Sequence, residues 1–169
     1  MRQRTKSEKE FFGLFKNSQW STAEEDMHQH IDIHIDGFSI DVKELKRINR
    51  TDVDVNSEIH WVELQNVHGN KGWLYGEATH IAFELPDGFL LIERITLHQF
   101  CKHKVADRKI KDIKGLYTLY RRKGRLDVIT LVLVEDLLKL PHCILNKQTL
   151  YESSILNIPC EPANNITTA

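Results

Sequence analysis

The sequence predicts an α+β fold with a mixed, mostly antiparallel sheet and flanking helices. Three observations carry that expectation. Alternating apolar residues flank three short turn signals, Asp36-Gly37, Pro86-Asp87-Gly88 and Lys123-Gly124. Apolar residues at helical spacing occur only in short stretches. No internal repeat and no dividing linker interrupts the 169 residues, so residues 1–158 read as one domain, with 159–169 expected as a disordered tail.

The elements follow in chain order. Phe11, Phe12, Leu14 and Phe15 cluster within Ser7–Lys16 and predict a short helix. Ser21 or Thr22 then reads as an N-cap, with Glu24, Glu25 and Asp26 in a first turn that favours negative charge. From His28 the period changes to two. Ile31, Ile33 and Ile35 take one face, and His28, His30, Asp32 and His34 the other. After Asp36-Gly37, Phe38, Ile40 and Val42 alternate with Ser39, Asp41 and Lys43 in a return strand. Lys46–Ser57 is a polar loop, and Trp61–Val67 a strand. Ala78–Glu84 and Phe89–Arg94 form a hairpin, and Thr96–His103 a helix. Tyr117–Arg122 and Leu126–Val134 form the last hairpin, followed by a helix over Glu135–Leu140.

Composition narrows the functional classes. Lys plus Arg is 23 and Asp plus Glu is 24, a net charge of -1, so bulk charge does not argue for nucleic acid and any basic surface is local. Val128–Val134 is too short to span a membrane, and the charged first ten residues lack the apolar core of a signal peptide. Cys101, Cys143 and Cys160 are far apart without CxxC spacing. That argues against a disulfide framework or a cysteine zinc site and for a reducing, cytoplasmic setting. No P-loop, GxSxG or cysteine-nucleophile pattern is present.

The first hairpin carries the chemistry. A two-residue Asp36-Gly37 turn sets Ile35 against Phe38, His34 against Ser39, Ile33 against Ile40, Asp32 against Asp41 and His30 against Lys43. Two directly opposed carboxylates, with Cβ atoms roughly 4.5–5.5 Å apart, destabilise a sheet. A divalent cation between them, Mg2+ or Mn2+, supplies a reason to keep them. Lys43, two residues past Asp41, lies on the same face, where it can orient or deprotonate water or stabilise charge on a phosphate. The bland alternative is a solvated polar face.

An acidic residue on one strand and an acidic-x-Lys triplet on the next, here Asp32 and Asp41-Val42-Lys43, resembles the PD-(D/E)XK nuclease superfamily. The stretches EEDMHQHIDIHIDGFSIDVKELKR and WVELQNVHGNKGWLYGEATHIAFE are similar to a family of small, often phage-encoded proteins assigned to that superfamily. The resemblance covers Glu24–Glu84 and, more weakly, YRRKGRLDVITL. It implies a restriction-endonuclease-like core and a magnesium-dependent nuclease acting on DNA more than RNA, possible as a homodimer and, in a phage, working in host cytoplasm. Ile31 stands where the superfamily name has proline, and Thr79 where the family pattern has an acidic residue. The superfamily often adds a glutamate from its first helix, for which Glu25 is the choice and Glu24 and Asp26 the rivals. A second assignment uses Asp41 with Glu63-Leu64-Gln65, Gln65 replacing the lysine. The metal set is therefore drawn from Asp32, Asp41 and Glu63.

Candidate nucleic-acid contacts are Lys46, Arg47 and Arg50 after the hairpin, and Lys71, Trp73 and Tyr75 in GNKGWLYGE. The two aromatics either stack on bases or pack under their loop. His28, His30 and His34 with Asp32 form a weaker zinc pattern. The rival functional class is a nuclease fold kept as a catalytically inactive nucleic-acid-binding or interaction protein. A weaker third is a virion or replication accessory protein.

Overall fold

The computed structural model describes residues 2–152 and 158–163. Helix α1 spans Lys6–Phe12 and opens with a capping box. The Thr5 hydroxyl accepts the Glu8 N–H at 3.2 Å, and the Glu8 carboxylate accepts the Thr5 N–H at 3.1 Å. It ends at Gly13, earlier than the expected Lys16. The strands are β1 (Gln19–Trp20), β2 (Ile33–Ile35), β3 (Phe38–Lys43), β4 (Ile59–Gln65), β5 (His80–Leu85), β6 (Gly88–Glu93), β7 (Val128–Leu133), β8 (His142–Asn146) and β9 (Cys160–Glu161). Helices α2 (Arg94–Lys104) and α3 (Val134–Leu137), a π turn (Glu25–Gln29) and a 3-10 turn (Trp73–Tyr75) complete the described elements.

Seven strands form one sheet in the order β1-β2-β3-β5-β6-β8-β9, and β4 pairs with β7 in a second. Among the described strand pairs only β3–β5 is parallel, so the sheets are mostly antiparallel and the coarse α+β expectation holds. The first hairpin has the expected register at Ile35 to Phe38, His34 to Ser39 and Ile33 to Ile40. The ladder ends there, so Asp32 with Asp41 and His30 with Lys43 are not the strand partners expected. Asp36 (φ 49°) and Gly37 (φ 83°) both adopt the left-handed conformation that a tight hairpin of this twist requires.

The large sheet separates two cores. Phe11, Ile33, Ile40, Val42, Phe89 and Leu91 pack on the α1 side. Ile81, Phe83, Leu90 and Ile92 turn the other way, onto Val62 and Val132 of the small sheet and Leu97 of α2. The alternation within β3 follows: Ile40 and Val42 face α1, which turns Asp41 and Lys43 toward the small sheet.

Four expectations are corrected. The strand does not begin at His28. Glu25–Gln29 winds into the π turn, stopped by His30 at φ 57°, and pairing begins at Ile33. Tyr117–Arg122 is not a regular strand; it touches its neighbours through isolated bridges such as Tyr120 to Ile129, and β7 pairs with β4 instead. Cys143 and Cys160 stand opposite each other on β8 and β9 and form a disulfide, against the expectation of none; the strand pairing brings together cysteines 17 residues apart. The same pairing orders Cys160–Glu161, within the segment expected to be disordered, while residues 164–169 lie outside the described residues. Among the described residues, no helix is long and apolar enough to cross a membrane.

Candidate functional site

Where the first hairpin meets the small sheet, a cavity of about 320 Å³ opens. Asp32 and Asp41 lie in its wall, 4% and 2% exposed. Asp32 precedes β2, and its backbone N–H donates at 2.8 Å to the carbonyl of Ile40, the residue that Ile33 already faces. Its Oδ2 accepts the Val42 N–H at 2.8 Å and its Oδ1 accepts the Arg2 guanidinium at 2.9 Å. Asp41 Oδ1 lies 2.6 Å from Lys43 Nζ. Asp41 Oδ2 is buried without a hydrogen-bond partner among the described residues.

Burial governs the ionisation of the pair. It pushes the Asp32 carboxyl up to about 7, reinforced by the charge of Asp41 and opposed by Lys43. Asp41 is raised by its own burial, with Lys43 pulling it back. Glu63 reaches the cavity from β4 and is raised by burial, against the charge of Lys43 and a hydrogen bond from the Trp73 backbone. Gly72 lets the chain pass this close, since a Cβ there would collide with the Glu63 carbonyl. Of the residues lining the cavity, six carry carboxyl groups and three are Lys or Arg, so it attracts cations.

Asp32, Asp41, Lys43 and Glu63 are thus gathered, although β4 lies in the other sheet rather than beside β3. Glu25 is elsewhere. Its carboxylate caps Thr22 and meets His34 Nε2 at 3.0 Å, so the turn's own capping determines its position. Glu24 is exposed, whereas Asp26 lines the cavity. Gln65 donates to Leu126 O at 2.6 Å, past a bulge in β4, and does not line the cavity. Thr79 bonds Ser39 O through its N–H and its hydroxyl, a structural role. The histidines do not converge: His28 is exposed in the π turn, His30 lines the cavity and His34 faces Glu25.

Lys46, Arg47 and Arg50 are exposed on the loop after β3. Lys71 is also exposed. Trp73 is buried, its ring 4.6 Å below the Lys43 ammonium, and so packs rather than presenting a stacking face. Tyr75 meets His98 edge-on and borders a separate cavity beside α2.

Glu8 and Arg2 were missed. Glu8, 2% exposed on α1, lines the cavity, and Arg2 bridges it to Asp32 and Asp26 at 2.9–3.0 Å. The readable signal was Thr5-x-x-Glu8, a capping box that fixes a glutamate at a helix start. Among the described residues, no group of three or more His, Cys, Asp or Glu is disposed to hold a metal ion. Comparison with protein-family models, curated proteins and solved structures finds no match to this chain.

Proposed function

We propose that this chain is a metal-dependent nuclease that hydrolyses nucleic-acid phosphodiester bonds, DNA ahead of RNA. The observation that carries the reading is the meeting of Asp32, Asp41, Lys43 and Glu63 in one cavity, with the first two carboxyls buried. In this reading the β2–β3 hairpin, its parallel neighbour β5 and helix α1 are the acid-bearing half of a restriction-endonuclease-like core.

The residues fit a hard divalent cation by donor chemistry. The candidate ligands are carboxylate oxygens, and Asp41 Oδ2 is a buried acceptor without a donor. Asp32 and Asp41 would hold Mg2+ or Mn2+, with waters and a substrate phosphate completing the set. The bound ion would supply charge neutralisation at the phosphate and an acidified water. Lys43, already 2.6 Å from Asp41, orients the water or the phosphate oxygen and stabilises charge as the bond breaks. Asp32 is held in orientation by the Val42 N–H.

One observation favours the alternative of an inactive nuclease fold that binds nucleic acid. Arg2 and Lys43 already neutralise Asp32 and Asp41 internally. Circular single- and double-stranded DNA, incubated with the chain with and without Mg2+ or Mn2+, separates the two. Cleavage that needs metal and is lost in Asp41→Asn supports the nuclease; binding without cleavage under every condition overturns it.

A further inference from the structure

The acidic cavity continues into two others. Lys43, Lys46, Glu63 and Trp73 border both it and a cleft of about 300 Å³, and Lys46, Arg47, Trp61 and Arg122 border both that cleft and a trough of about 700 Å³. The trough lining holds seven Lys or Arg residues and one carboxylate, Glu44, in a chain whose net charge is -1. Its cations come from separate segments, the loop after β3, Lys114 and Arg122–Arg125, which the fold brings together.

Between them lies Trp61 of β4, half-buried, with Lys114 Nζ 5.3 Å from its ring centre. Its indole N–H is buried without an acceptor among the described residues. Arg122 is held through Nε by buried Asp127 at 2.6 Å, which fixes the guanidinium at the trough wall.

We infer that this trough binds a single nucleic-acid strand, with its phosphates on the basic walls and an unpaired base on the face of Trp61, and delivers that strand to the acidic cavity. The walls match a polyanion by charge. An aromatic face set among cations suits an unpaired base, whose own faces are free, whereas a duplex keeps its base faces stacked inside. Lys114 Nζ donates to Ile48 O and to Asn49 Oδ1, which holds the ammonium at the trough wall where a phosphate can meet it. The inference rests on the nuclease reading for the strand's destination, and binding can be tested apart from cleavage.

The test uses the full chain in EDTA. Labelled twelve-nucleotide single-stranded DNA, the same sequence as RNA, and a matched duplex are titrated by fluorescence anisotropy at two salt concentrations. The expected result is single strands bound at least tenfold tighter than duplex and weakened by salt. Trp61→Leu should lose about tenfold for single strands, and Trp61→Phe should recover most of it. Lys123→Ala with Arg125→Ala, both exposed, should weaken binding and reduce the salt dependence. Thermal melts identify any variant that fails to fold, and the charge pair then carries the test. Duplex bound as tightly as single strands, absence of binding, or a folded Trp61→Leu at full affinity would overturn the inference. The two DNA and RNA arms identify which strand chemistry is taken. Binding that never becomes cleavage when Mg2+ is added sinks the nuclease reading alone, and metal-dependent cleavage indifferent to Trp61 sinks this inference alone.

Discussion

Asp32 Oδ2 accepts the Val42 N–H at 2.8 Å, so one oxygen of the acidic pair is tied to the backbone of the opposite strand. The carboxyl is a structural acceptor as well as a candidate ligand. Asp32→Asn retains an amide oxygen for that bond, whereas Asp32→Ala leaves a buried N–H unpaired. Urea unfolding of the metal-free protein should show Asp32→Ala losing about 1–3 kcal/mol relative to Asp32→Asn. Equal stability of the two would mean that the bond adds nothing.

Asp41→Asn removes a buried charge whose Oδ2 has no donor. The metal-free variant should melt no lower than the parent, while cleavage is abolished. Lys43→Ala should bind metal at least as tightly as the parent, since the ammonium 2.6 Å from Asp41 no longer competes with the ion. It should lose rate, because a protonated lysine acts on the developing charge rather than as a ligand. Cleavage by Asp41→Asn at the parent rate would remove the site from this hairpin.

Arg2 stands in for a cation between Glu8, Asp26 and Asp32. A divalent ion must compete with it. Arg2→Ala should lower the melting temperature in EDTA and enlarge the upward shift produced by millimolar Mg2+ or Mn2+. A ligand at a hundred times Kd adds about 2.7 kcal/mol. The shift should vanish in Asp32→Ala and Asp41→Ala and persist in His28→Ala. A melting temperature unmoved by either ion counts against the paired-carboxylate site.

Glu8 has two roles, which two substitutions separate. Glu8→Gln keeps the reciprocal bond to the Thr5 N–H, so its stability should fall by no more than about 1 kcal/mol. Glu8→Ala should cost more. If Glu8 also serves the site, Glu8→Gln loses cleavage at least tenfold while still folded; unchanged cleavage would confine Glu8 to the cap.

His60 gives a pH dependence away from the acidic cavity. Burial lowers its ring to about 4, although a 2.9 Å contact with Glu84 O raises it. The unfolded ring titrates near 6.5. With the folded value depressed, the stabilisation is present above pH 6.5 and is lost as pH falls toward 4, amounting to about 3 kcal/mol at most. His60→Gln should flatten that part of the stability curve. An identical acid slope in parent and variant would show that His60 is not the group responsible.

The parts legible in the sequence were those set by neighbouring residues. Asp36-Gly37 fixed the hairpin register, and Pro86-Asp87 closes the β5–β6 hairpin, where Leu85 meets Gly88. Asp41 and Lys43 fell on one face because strand alternation places them there. What failed depended on distant contacts or on a local switch that mimics alternation. Ile31, Ile33 and Ile35 continue a period of two back toward His28, yet His30 breaks the strand in a conformation that histidine seldom adopts. The Cys143–Cys160 pairing needs β8 beside β9, which no local pattern announces. Glu8 reads as the polar side of a short helix until Arg2 and Asp32 are seen beside it.

Asp41 belongs to the large sheet and Glu63 to the small one, and this division has a kinetic meaning. The β2–β3 hairpin closes over two residues and can form in about 1–10 μs. The strand bearing Glu63 must wait for β7, more than sixty residues further along, before it has a partner. A chain stalled at that stage would carry Asp41 and Lys43 on a finished hairpin while lacking the opposite wall. The chamber therefore exists only once the two sheets have docked, because Asp41 and Glu63 share no strand pairing.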